Sequence, residues 1–214
     1  MYSPRPGFLY AAAVASIAFS VVSCSGETAG LPQADEVAGQ SSVQSSSASP
    51  RYSIDEPLDV TPFLGSPCQL VSPGVLKKFD YQPEDGDENL PESDEMAAEG
   101  GPYCDWQGGD EGTLSVAIDS GNTERGLGGL ENMRTLHEQG RFNLWEETTV
   151  SGYPAAYVDM QDKRSEGNCS LSVGVADDMT FSVNASFYYE NPEEACRVVD
   201  EVAADVIQNL RGRN

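Results

Sequence analysis

The chain contains one histidine, His137, and only 12 lysines and arginines against 35 acidic residues. With one imidazole, most acid–base and metal chemistry would rest on a single side chain. Nucleic-acid phosphates are held by clustered Lys and Arg, yet the adjacent basic pairs are limited to Lys77-Lys78 and Lys163-Arg164. Nucleic acid is therefore excluded as a partner. The GxSxG elbow, the HExxH pair and the P-loop are all missing, and no two cysteines stand in the CxxC spacing of a zinc ribbon. A spanning helix needs about 20 consecutive apolar residues, and no such run occurs.

The longest apolar stretch, Phe8 to Val22, is broken only by Ser16 and Ser20. Its roughly 15 residues suit the core of a secretory signal, and Arg5 is the single basic residue ahead of it. Val21-Val22-Ser23-Cys24 ends it with an aliphatic residue, a small residue and a cysteine, which resembles the bacterial lipobox. The pattern predicts a signal peptide over residues 1–23 and lipid on Cys24. Two or more acyl chains there would give stable anchoring, at about 0.8 kcal/mol per buried methylene. The expected location is the extracytoplasmic face of the cell membrane.

Loss of residues 1–23 removes only Arg5 among the charges, so 11 basic residues face 35 acids and the net charge is -24. Anionic headgroups repel such a surface, which leaves the attachment to the lipid. Partners chosen by charge should be basic, or divalent cations.

Residues 24–59 are rich in Ser, Ala, Gly, Gln and acids and have almost nothing to bury. They read as a disordered tether, for which roughly 35 residues give an end-to-end distance near 30 to 35 Å. Residues 60–214 suit one domain of ordinary size.

Within that domain, Ser72-Pro73 reads as an N-cap and first helical position, with Val75, Leu76 and Phe79 turned inward. Thr113 to Asp119 alternates as a strand carrying Leu114, Val116 and Ile118 on one face. Leu127, Leu130, Met133, Leu136 and His137 recur at helical spacing before Gly140. Two strands, Trp145 to Val150 and Ala155 to Met160, flank a turn over Ser151 to Pro154. A hairpin follows, with Cys169, Leu171, Val173 and Val175 matched by Met179, Phe181, Val183, Ala185 and Phe187. Its other face is wet, carrying Ser170, Ser172, Thr180, Ser182, Asn184 and Ser186. Asn191-Pro192-Glu193-Glu194 opens a last helix whose apolar stripe runs from Ala195 to Leu210. The order predicts an α+β domain, an antiparallel sheet with helices packed on one face.

Four cysteines remain after Cys24, and an even set outside the cytosol reads as two disulfides. Cys169 begins a core-facing strand and Cys196 lies in the first turn of the helix covering that face. These two should pair, leaving Cys68 to join Cys104 near Trp106.

The ordered landmarks Pro67 to Pro73, Cys104-Asp105-Trp106, Val150 to Ala156, Cys169 and Cys196 together resemble an actinobacterial lipoprotein family, domain of unknown function DUF3558. The resemblance covers roughly residues 60 to 210. It implies a lipid-anchored envelope protein and transfers no catalytic residues. The segment Gln82 to Gly101 departs from it, being longer and more acidic.

Few residues then remain as site candidates. His137 reads as a partly exposed helical histidine rather than a triad member. Asp105 beside Tyr103 and Trp106 is the most suggestive carboxylate, although an aromatic next to a structural cysteine belongs to a core. Glu84 to Glu99 holds eight acids in 16 residues and reads as a solvated loop. Asp85, Asp87 and Asn89 imitate the start of an EF-hand, but Leu90 and Met96 occupy the positions that need glycine and glutamate. No catalytic residue, metal or cofactor is expected. The expected function is non-enzymatic binding of, or assistance to, another envelope component; a carrier or sensor of a small apolar ligand is the alternative, and a hydrolase is further behind.

Overall fold

The alternation from Cys169 to Ser186 folds as a β-hairpin that becomes the centre of the sheet. The computed structural model describes residues 51–108 and 112–212. Cys24 and most of the proposed tether lie outside them. The strands are β1 (Asp87–Asn89), β2 (Tyr103–Gln107), β3 (Thr113–Ile118), β4 (Leu144–Val150), β5 (Tyr153–Asp159), β6 (Cys169–Ala176) and β7 (Met179–Ser186). They form one sheet in the order β1-β2-β3-β7-β6-β5-β4, antiparallel throughout. The helices are α1 (Pro73–Lys78), α2 (Glu95–Gly100), α3 (Ser120–Glu124), α4 (Leu130–Glu138) and α5 (Pro192–Arg211).

Period-two alternation sends Leu114, Val116 and Ile118 of β3 to the same side as Leu171, Val173, Phe181 and Val183, and all seven are 0 % exposed. The stripe of α5 covers that side: Ala195, Val198, Val199, Val202, Ala203, Val206, Ile207 and Leu210 are all buried. Fully burying one such branched side chain contributes about 1.5–3 kcal/mol, so this interface dominates the stability. Both expected disulfides, Cys169–Cys196 and Cys68–Cys104, are present. Cys169–Cys196 ties β6 to the first turn of α5, and Cys68–Cys104 ties a short 3-10 turn, Pro67–Leu70, to β2.

The β4–β5 hairpin closes with two residues, Ser151 (φ 50) and Gly152 (φ 90). Positive φ at both positions is the turn that matches strand twist. It is shorter than the four residues read from sequence, and Pro154 joins β5 opposite Thr149. At α4 the helix starts at Leu130 rather than Leu127, which is 53 % exposed. The preceding glycines are needed for close approach, since a Cβ on Gly128 or Gly129 would collide with the carbonyl oxygens of Asp178 and Asp177.

Several expectations are corrected. Ile54 and Leu58 are buried in the core, and the Leu58 amide donates to the Val175 carbonyl at 2.9 Å. The folded body therefore begins before residue 60, because two apolar side chains suffice to pin this short segment. The acidic stretch is not a loop: Asp87–Asn89 pairs with β2 and Glu95–Gly100 is helical. Edge pairing needs backbone rather than apolar side chains, and Asp94 caps the helix by accepting the Ala97 amide at 2.8 Å. Tyr103–Gln107 is a strand that the sequence reading passed over. Phe187 leaves the β7 pattern with φ 74 and is 51 % exposed. Neither Ser72 nor Asn191 caps its helix with its side chain.

The helices also divide between the faces. α5 lies on the face described above, whereas Leu130 of α4 packs with Ala156 and Val158, which point to the reverse face. That face is not uniformly wet, since Ser172 and Thr180 are buried.

Candidate functional site

The same alternation that fills the core leaves small and polar side chains on the reverse face. Asp87, Asp105, Ser115, Asn184 and Ser170 stand opposite one another in register across β1, β2, β3, β7 and β6. The neighbouring row is Asn89, Tyr103, Ala117, Ser182 and Ser172. At the α2 end a cleft of 350 Å³ opens on this face. Its walls are Met96, Gly100 and Gly101 of α2 and its C-cap, Tyr103 and Asp105 of β2, Ser115, Ala117 and Asp119 of β3 and its end, and Asn184 of β7.

None of those lining residues carries a positive charge. Asp119 is half-buried, and its Oδ2 accepts hydroxyl protons from Thr180 at 2.7 Å and Ser182 at 2.8 Å. Loss of water raises its pKa to about 6, against the pull of those two hydrogen bonds. Asp105 is also raised, first by burial and further by Asp87 and Asp94, although a bond from Ser115 opposes the rise. The Tyr103 hydroxyl donates to Asp94 Oδ1 at 3.2 Å and is itself pushed up by burial and by that carboxylate. Met96, 72 % exposed, adds an apolar wall. Desolvated carboxylates in a concave surface are where function concentrates.

In two larger hollows the basic lining residues are already ion-paired. One of 530 Å³ includes Lys78 and Arg197, which are ion-paired to Glu201 and Glu194. One of 590 Å³ includes Arg164, held by Asp162 at 2.7 Å and Glu146 at 2.8 Å.

Of the sequence candidates, Asp105 lines the cleft while Trp106, next to it, is 1 % exposed in the core. His137 is half-buried; its Nδ1 donates to the Phe142 carbonyl at 2.8 Å and its ring stacks on Trp145 at 5.8 Å. Its neighbours are a carbonyl and an indole rather than a serine and a carboxylate. Asp87 and Asn89 lie on the edge strand, where the Asn89 amide donates to the Asp87 carbonyl. Among the described residues no three His, Cys, Asp or Glu side chains converge as a metal site.

A family model, Protein of unknown function (DUF3558), matches residues 19–209. The chain belongs to the DUF3558 family. No curated protein and no solved structure matches it. In this DUF3558 protein the match spans the sheet, most of α5 and all four disulfide cysteines. Met96, Ala117 and Asp119 were not read from the sequence as parts of a site because no motif joins them. A faint signal existed, in that Asp119 directly follows a strand whose reverse face is Thr113, Ser115 and Ala117, leaving a carboxylate against small neighbours.

Proposed function

We propose that this protein is a non-enzymatic binding or accessory protein of the cell envelope, anchored by lipid on Cys24, whose recognition surface is the reverse face of the sheet. The observation that carries the reading is the cleft, lined by an apolar wall and two partly desolvated carboxylates with no cation among the lining residues. Partly burying carboxylates that have hydrogen bonds but no counter-charge costs free energy, and a partner that supplies the opposite charge would offset that cost.

The carrier reading would require an apolar cavity of at least about 300 Å³. Between the sheet and α5, the inward residues of the helix are 0 % exposed, so no water-sized space touches them. The reverse face is therefore the better-supported surface.

The test is crosslinking in intact envelopes with wild-type protein and Ala117→Trp, which fills the cleft. The variant should lose the partner crosslink at unchanged thermal stability. A crosslink retained at full yield by Ala117→Trp would count against the reading.

A further inference from the structure

The floor of the cleft has an order. Ser115, Ala117 and Asp119 follow one another along β3 on the reverse face, with Asp105 beside Ser115 and Tyr103 beside Ala117. The floor therefore runs carboxylate, apolar patch, carboxylate, and Met96 lines the same cleft. Four residues of strand at about 3.3 Å each separate the ends by about 13 Å. Asp105 and Asp119 are thus too far apart to share one ion, in keeping with the absence of a converging metal-ligand set among the described residues.

Each carboxylate is engaged on one side. Ser115 bonds Asp105, and Asp119 Oδ2 takes both Thr180 and Ser182. A guanidinium binds best to both oxygens of one carboxylate, whereas an ammonium is a compact point charge that needs only one. The complement of this floor is a chain with an ammonium at each end and methylenes between.

We propose that the cleft binds a linear polyamine, one ammonium at Asp105 and another at Asp119, with the methylene chain over Ala117 and against Met96. The inference rests on the reading of this face as a recognition surface and names the chemistry recognised. Opposite charge alone would attract any cation to a protein this acidic, so the distinguishing feature is the pairing of two charges at a set spacing.

Calorimetric titration of the full-length protein with spermidine, diaminooctane and hexylamine tests it, in about 150 mM salt, where charges more than about 8 Å apart are largely screened. Spermidine and diaminooctane should saturate and bind at least tenfold tighter than hexylamine. Asp105→Asn and Asp119→Asn should each weaken them at least tenfold; in the second, the new amide oxygen still accepts both hydroxyls and keeps the fold. Glu92→Gln, the same loss of charge at an exposed position outside the cleft, should change nothing.

Equal binding of monoamine and diamines, or equal effects of Glu92→Gln and Asp119→Asn, would overturn the proposal. Binding of a lysine-rich peptide without binding of either polyamine would overturn it as well. If the amines fail while Ala117→Trp still abolishes the partner crosslink, only the polyamine inference falls. If they bind while the crosslink is indifferent to Ala117→Trp, the partner reading falls instead.

Discussion

Asp205 of α5 holds Ser72 at both of its donors: the Ser72 amide reaches Oδ2 at 2.7 Å and the hydroxyl reaches Oδ1 at 2.8 Å. The start of α1 is thus capped by a carboxylate 133 residues away. Asn209, one turn further along α5, donates to the Leu70 carbonyl at 2.8 Å and extends the clamp. Asp205→Ala strands the Ser72 amide and hydroxyl in a half-buried site and should cost about 1–3 kcal/mol in urea unfolding. Ser72→Ala keeps the amide bond and should cost about 1 kcal/mol. Equal losses for the two would show that the amide bond contributes little.

Asp119 sets a pH dependence of stability. Its folded pKa, raised to about 6 by burial, lies above that of the unfolded chain, about 3.9. The folded state therefore binds the proton more tightly, and the stability gained from that proton is full below about pH 4 and lost as pH rises through 6. The change is on the order of 3 kcal/mol, and the raised pKa of Asp105 acts in the same direction. Asp119→Asn should flatten this part of the stability profile measured by urea midpoints. An unchanged slope would contradict the burial of the charge.

Gly86 sits where the first disulfide meets the core. A Cβ there would stand 2.8 Å from Trp106 Nε1, 3.0 Å from Cys68 Sγ and 3.1 Å from Cys104 Sγ. Gly86→Ala should therefore overpack the site and destabilise by about 1–3 kcal/mol. Reducing the disulfides opens loops of 36 and 27 residues, worth roughly 3.5 to 4 kcal/mol each in the chain-entropy model. Reduced protein should melt well below oxidised protein in calorimetry, and coincident melts would argue against that contribution.

Deletion of residues 84–99 removes β1 and most of α2, including the buried Ala97. It should lower the unfolding midpoint and uncover Tyr103, read as increased hydrogen exchange along β2. Wild-type exchange after the deletion would return the segment to the status of a loop.

Cys24→Ser should abolish acyl labelling and release the protein from membranes with its thermal unfolding unchanged. Acylation that persists in the variant would remove the basis for the lipid anchor.

Much of the fold could be read in advance because alternation and helical spacing are local consequences of which face is buried. The stripe from Ala195 to Leu210 and the hairpin from Cys169 to Ser186 are continuous in sequence, so their periods announce them. The cysteine pairing followed from those two elements once they were set face to face. β1 and β2 were hidden for the opposite reason: the acids of Asp87–Asn89 have no apolar face to reveal, and the strand is held by backbone pairing to a neighbour 14 or more residues away.

The sequence by itself determined the antiparallel sheet, the packing helix, the two cross-links, the family resemblance and the large excess of negative charge, since each depends on residue type at short or regular spacing. Tertiary structure alone decided that Asp205 would cap Ser72, that α4 would lie on the reverse face, and that Asp105, Asp119 and Met96 would share a cleft. Those relationships depend on strand order and on which helix crosses which face. They arise when chain segments distant in sequence compete to cover the same apolar surface, a competition that no local pattern records.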